Sequence, residues 1–191
     1  MQRIGLFGGS FDPVHLGHLL VAQAVIEGLG LDRLFFIPTA QSPFKPENKP
    51  AAASSRLQLL RLALAGQTNC EIDEQEIRRG GVSYTIETLR DYARRFPKAE
   101  LFYLIGADNV AKLQEWREAS ELARLAQFVV IPRSGQAPVN FLSPFRGRML
   151  KGFPFDVSSS QIRARVKAGL PIDPLVPPSV AEAICNEKLY V

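Results

Sequence analysis

Both histidines of the chain, His15 and His18, fall in one stretch, GLFGGSFDPVHLGHLL, which begins at Gly5. The apolar run RIGLF (3–7) leads into Gly8 and Gly9, and Ser10, Phe11, Asp12 and Pro13 follow. Asp12 is a good N-cap and Pro13 suits the first helical position, so a helix is expected from there. Its first turns would carry His15 and His18 on one face, near the positive end of the helix dipole. Glycines at 8 and 9 would let the backbone approach a ligand, and N–H groups from Gly8 to Phe11 suit a phosphate. The two imidazoles add donors for the same anion. The bland alternative is a tight strand–helix turn with two incidental surface histidines, but no histidine lies anywhere else in the chain. Zinc is a lesser rival: an i,i+3 histidine pair could ligate it, yet the only nearby third ligand is Asp12, which capping already explains.

A second group lies far along the chain. In VSSSQIR (157–163), Ser158, Ser159 and Ser160 stand at an expected helix start with Arg163 one turn inside. Alone, this is an ordinary serine cap with a solvated arginine. Beside the first group, it becomes a set of hydroxyls, N–H groups and a guanidinium suited to polyphosphate. Gly106 and Asp108 in GADN follow an apolar run, where ligands of open α/β sheets bind, although Asp108 could equally cap a helix. Ser83 and Thr85 open another expected helix. Trp116, the single tryptophan, reads as core by default, and Lys45 and Arg133 as surface charges. No Ser-His-Asp set, activated cysteine or lysine placed for a covalent intermediate is evident.

These residues need a scaffold, and 191 residues suffice for one domain with a substantial core. Hydrophobic residues at 46% and charged residues at 22% are globular composition. The net charge of +4 favours anionic ligands, but there is no Lys/Arg run to suggest a nucleic-acid groove. Cys70 and Cys185 stand apart with no metal-type spacing, as expected of thiols in a reducing cytosol. No signal peptide or membrane-length apolar run is recognised, so a cytoplasmic protein is expected.

Apolar runs at 3–7, 33–38, 101–106 and 128–132 read as buried strands, with weaker ones at 70–77 and 153–157. Helical spacing covers 13–28, 55–65, 85–95, 116–125, 159–168 and 178–187. The alternation implies right-handed βαβ crossovers: an α/β, Rossmann-like parallel sheet with helices on both faces. The proline-broken segments 39–55 and 133–148 are expected to be functional loops.

GGSFDPVHLGH resembles the GxFDPxHxGH signature of nucleotidylyltransferases, and VSSSQIR resembles their ISSTxIR element. RRGGVSYTIETL (78–89), LIGADN (104–109), the EW-containing segment 113–135 and GLPIDPLVPPSVAEAI are similar to bacterial nicotinate-nucleotide adenylyltransferases. The similarity spans essentially the whole chain, and implies one nucleotidylyltransferase domain over 1–191 with a helical C-terminal part from about 158. Two departures stand out: SPFK (42–45) where the family often has PPHK, putting Phe44 in place of a histidine, and RSG where RPG is usual, putting Ser134 in place of a proline. The first removes one expected phosphate contact; the second alters loop stiffness.

The resemblance implies transfer of AMP from ATP to nicotinate mononucleotide, giving nicotinate adenine dinucleotide and pyrophosphate, with Mg2+ carried by the ATP phosphates. His15, His18 and Arg163 would be catalytic. ATP would meet Gly8, Gly9, Ser10, Phe11, His15, His18, Gly106, Asp108, Ser159, Ser160 and Arg163. Nicotinate mononucleotide would meet Ser10, Lys45, Ser83, Thr85, Asp108, Trp116 and Arg133. The partners are these two small molecules, with neither nucleic acid nor membrane, and a homo-oligomer is compatible with the sequence. The alternatives are a sibling transferase using nicotinamide mononucleotide or another phosphorylated acceptor, and a non-catalytic nucleotide-binding module. A module of that kind would be expected to lose His15, His18 or Arg163, and all three are present.

Overall fold

The computed structural model describes residues 1–43, 50–132, 136 and 138–191. Phe44, Lys45, Arg133 and Ser134, singled out above, lie outside the described residues. Six strands form one sheet in the order β3-β2-β1-β4-β5-β6: β1 (Arg3–Gly9), β2 (Arg33–Pro38), β3 (Cys70–Ile72), β4 (Glu100–Ile105), β5 (Gln127–Val130) and β6 (Gly147–Met149). Every neighbouring pair is parallel. Chain order reverses between β1 and β4, and the carboxyl ends of these two strands flank the crevice where ligands of such sheets bind.

The helices are α1 (Leu16–Leu29), α2 (Ala53–Ala63), α3 (Gln75–Arg79), α4 (Thr85–Arg95), α5 (Ala107–Val110), α6 (Ala119–Leu125), α7 (Ser159–Lys167) and α8 (Pro178–Asn186). Apolar residues alternate between the two faces of the sheet. Leu34, Phe36, Phe102, Leu104 and Val129 face one core with α1, α2, α7 and α8, while Ile4, Leu6, Phe35, Ile37, Leu101, Tyr103 and Phe128 face the other with α4 and α6. Apolar runs without alternation are what a sheet covered on both faces requires. None of the described helices is long and apolar enough to cross a membrane.

Three expected elements differ. The strand expected over 153–157 is absent there; the sixth strand is Gly147–Met149, an edge strand paired with β5 inside the segment expected as loop. Its sequence, GRM, has no apolar run, so its strand conformation comes from pairing alone. The expected strand 70–77 stops at Ile72 and continues as α3. The first helix begins at Leu16, with His15 rather than Asp12 as its N-cap, and Pro13 lies outside it. Asp12 is drawn into other contacts, described next.

Candidate active site

β1 continues through the two glycines, with Gly8 opposite Ile37 and Gly9 opposite Pro38, so the turn proper is Ser10–Val14. Neighbouring side chains fill the space above the glycines. A Cβ on Gly8 would lie 2.5 Å from the Tyr103 hydroxyl, and one on Gly9 would lie 3.1 Å from the Phe11 ring. Phe11 has a left-handed backbone, φ 46°, a strained state for a bulky residue. Its buried ring holds it there, packed on Phe7, Phe36 and His18 at centroid distances of 5.4, 5.4 and 5.0 Å.

His15 and His18 form a capping box made of imidazoles. His15 Nδ1 accepts the N–H of His18 at 3.3 Å, and His18 Nδ1 accepts the N–H of His15 at 3.2 Å. A neutral ring that accepts at Nδ1 carries its proton on Nε2. Both histidines therefore serve as helix caps on one edge and as Nε2–H donors on the other.

The carbonyls of this turn are held by side chains from two helices. Arg56 of α2 donates to Ser10 O at 2.7 Å, Thr39 O at 2.9 Å and Ala51 O at 3.1 Å. Arg163 of α7 donates to Asp12 O at 2.6 Å, and Ser159 donates to Pro13 O at 2.9 Å. The VSSSQIR segment thus meets the opening turn directly. Ser158 caps α7 in a box with Gln161, and Ser160 Oγ accepts from Arg163 at 3.2 Å.

Asp12 is buried. Its Oδ1 accepts from the Tyr190 hydroxyl at 2.8 Å and the Ala51 N–H at 3.3 Å, and its Oδ2 lies 3.8 Å from Arg163. Burial lowers the Arg56 guanidinium from its ordinary value, with Asp12 pulling the other way.

The second side of the crevice is built by β4 and α4. Thr85, the first residue of α4, donates to the Tyr103 hydroxyl at 3.3 Å. Ser83, expected to face the substrate, is instead buried; its Oγ accepts from the Ala40 N–H at 3.0 Å and its own N–H donates to Gln41 O. Behind it, Glu76 accepts from Thr88 at 2.6 Å. Burial pushes the Glu76 carboxyl up, against hydrogen bonds from Thr88 and Ser83. Gly106 precedes α5, and Asp108 folds back over it, so that a Cβ at 106 would meet Asp108 Oδ1 at 2.5 Å. Asp108 sits in the first turn of α5 and is not its cap. Trp116 is half-buried, edge-on to Phe128 with centroids 6.4 Å apart.

Arg56 and Tyr190 were missed in the sequence. Arg56 did leave a signal, since it shares the buried face of α2 with Leu60 and Ala63, and an arginine inside an apolar stripe needs buried partners. Tyr190, 178 residues from Asp12, left none.

The cytidylyltransferase-like family model matches residues 6–165. A probable nicotinate-nucleotide adenylyltransferase of Opitutus terrae is 39% identical over 192 residues, covering 99% of this chain and 98% of that protein. One from Herpetosiphon aurantiacus is 37% identical, covering all of both chains. The chain belongs to the nicotinate-nucleotide adenylyltransferase family. The same fold occurs in Plasmodium falciparum nicotinic acid mononucleotide adenylyltransferase complexed with NaAD, at TM-score 0.83 and 16% identity, covering 100% of this chain and 98% of that one. It also occurs in a putative Vibrio parahaemolyticus nicotinate-nucleotide adenylyltransferase, at TM-score 0.73 and 23% identity, covering 100% and 96%.

Proposed function

We propose that this protein transfers the adenylyl group of ATP to nicotinate mononucleotide, forming nicotinate adenine dinucleotide and pyrophosphate in NAD biosynthesis. The observation that carries the reading is the meeting of the imidazole capping box with Arg163 and Ser159, at the point where strand order reverses. Two elements that share no sequence neighbourhood converge there on one turn rich in phosphate-type donors.

In this reaction a phosphate oxygen of the mononucleotide attacks the α-phosphorus of ATP, and the bond to the β-phosphate oxygen breaks. The attacking phosphate has a second pKa near 6, so it is largely a dianion at neutral pH and needs no general base. The protein's task is to hold two anions in line and to stabilise charge on the bridging and leaving oxygens. His15 and His18 would donate from Nε2 to ATP oxygens, and Arg163 would take the leaving pyrophosphate. Thr85, Asp108 and Trp116 would receive the mononucleotide.

Magnesium would neutralise phosphate charge while bound to ATP. The one carboxylate of the turn, Asp12, already accepts from Tyr190 and Ala51 and lies 3.8 Å from Arg163, which suits an ion brought by the nucleotide.

The test is pyrophosphate release from a mixture of protein, ATP, magnesium and nicotinate mononucleotide. Release that requires both substrates is the expected result. Arg163→Ala should then raise the KM for ATP more than that for the mononucleotide; equal loss would remove Arg163 from the pyrophosphate side.

A further inference from the structure

Asp12 lies at the centre of the opening turn but faces away from the cap position that its sequence suggests. Its carboxylate and carbonyl join three distant parts of the chain: Tyr190 and Ala51 at Oδ1, Arg163 at the backbone oxygen. Of these, only Tyr190 reaches the turn from beyond α8. The residue has a left-handed backbone, φ 66°, as does Lys188 at φ 50°, a conformation L side chains adopt at a cost. The same segment is pinned by Leu189 N–H donating to Ile184 O at 3.0 Å. The half-buried Tyr190 packs against the core on the α1, α2, α7 and α8 side of the sheet. Burial pushes the phenol up, and the bond to Asp12 pushes it further, so the hydroxyl keeps its proton and can only donate to that carboxylate. Such a hydroxyl can do more than fill space. A bond to an ionised acceptor is short and directional, and this one orients the residue whose carbonyl seats Arg163.

We propose that Tyr190 is a positioning residue for adenylyl transfer: through Asp12 it fixes the Ser10–Val14 turn and the Arg163 guanidinium in the geometry that receives the ATP phosphates. The proposal rests on the reading of the site given above. It assigns the segment after α8 to the nucleotide side of the crevice, away from Thr85 and Trp116. Without the hydroxyl, Asp12 Oδ1 keeps only the Ala51 N–H at 3.3 Å, and the carboxylate is drawn toward the guanidinium 3.8 Å away. Arg163 then spends its charge on Asp12 rather than on phosphate.

The experiment compares wild type with Tyr190→Phe, which keeps the ring and removes one oxygen, and with 3-fluorotyrosine at 190, which keeps the donor. For Tyr190→Phe, kcat/KM for ATP should fall about tenfold, the size of one lost charge-assisted hydrogen bond. KM for nicotinate mononucleotide should stay within about twofold, and the melting temperature within the few degrees that a small stability change produces. The fluorinated protein should match wild type. Wild-type kinetics in Tyr190→Phe, an equal rise in KM for both substrates, or a variant that no longer folds would each assign the tyrosine to stability alone and overturn the proposal. If the wild type releases no pyrophosphate from these substrates, the proposed reaction fails, and titration with ATP alone decides the positioning role: Tyr190→Phe must still bind ATP about tenfold more weakly.

Discussion

The His15 and His18 rings lie stacked with centroids 3.7 Å apart, and each Nδ1 accepts the other residue's backbone N–H. One side of each ring therefore ends the helix while the other presents a donor. The two duties can be separated by mutation. Asparagine at 15 can accept at the cap but does not extend to where Nε2 reaches. His15→Asn should unfold near the wild-type temperature while turnover falls by roughly 100-fold or more. His15→Ala should show the same kinetic loss plus about 1 kcal/mol of lost stability. Thermal unfolding and kcat measured on the same preparations check both halves.

Arg56 is 2% exposed and serves three carbonyls. Arg56→Leu fills much of the volume but leaves those oxygens without their donor. The three part-buried carbonyls lose a charged donor, at about 1 kcal/mol each, so a loss of about 3 kcal/mol is expected in urea denaturation. Arg56→Lys should recover only part of it, because an ammonium lacks the planar fork that reaches three carbonyls at once.

Gly8 and Tyr103 form a size-matched pair across β1 and β4, since a methyl at 8 would lie 2.5 Å from the phenol oxygen. Gly8→Ala should destabilise by about 1–3 kcal/mol through overpacking. Tyr103→Phe removes the obstructing oxygen, so the double variant should be more stable than Gly8→Ala alone. A double-mutant cycle on unfolding free energy reads the coupling directly.

On the same face of the sheet, beside α4, Asp73 accepts from Tyr92 at 2.8 Å, Arg95 at 2.5 Å and the Gln75 N–H at 3.0 Å. Burial alone would raise its carboxyl, but these bonds outweigh it and hold the group below the usual carboxylate range. A lowered folded-state pKa means the stabilisation is complete above the ordinary carboxylate range and is lost as pH falls through the folded value. The urea midpoint should therefore decline below about pH 4. Asp73→Asn should flatten that acid limb and cost about 2 kcal/mol at neutral pH.

Thr85 begins α4, where backbone N–H groups lack helical acceptors. A nicotinate carboxylate placed there would accept with both oxygens and gain from the helix dipole, whereas the amide would have to turn an NH2 toward a donor. With about 1.5–3 kcal/mol for the charged bond and about 1–3 kcal/mol for a stranded donor, discrimination on the order of 100-fold follows. The ratio of kcat/KM for nicotinate and nicotinamide mononucleotides measures it; a ratio near one would contradict this account of the pocket.

The periodicities of the chain and its two motifs were enough to determine the sheet class and most helices. Those signals are local: a strand buried on both faces, a helix start or an i,i+3 pair is written in a few adjacent residues. Where the chemistry depends on distant partners, the sequence misled or was silent. Asp12 carries the composition of an N-cap, yet Tyr190, Ala51 and Arg163 take it, and His15 caps α1 instead. Ser83 has the position of a ligand contact, yet its hydroxyl is used by Ala40. The β6 strand has no pattern of its own, because an edge strand borrows its conformation from the neighbour it pairs with. Hydrogen-bond acceptors buried by folding go to the nearest donor in space, and that donor is decided by the tertiary packing of α2, α7 and the segment after α8.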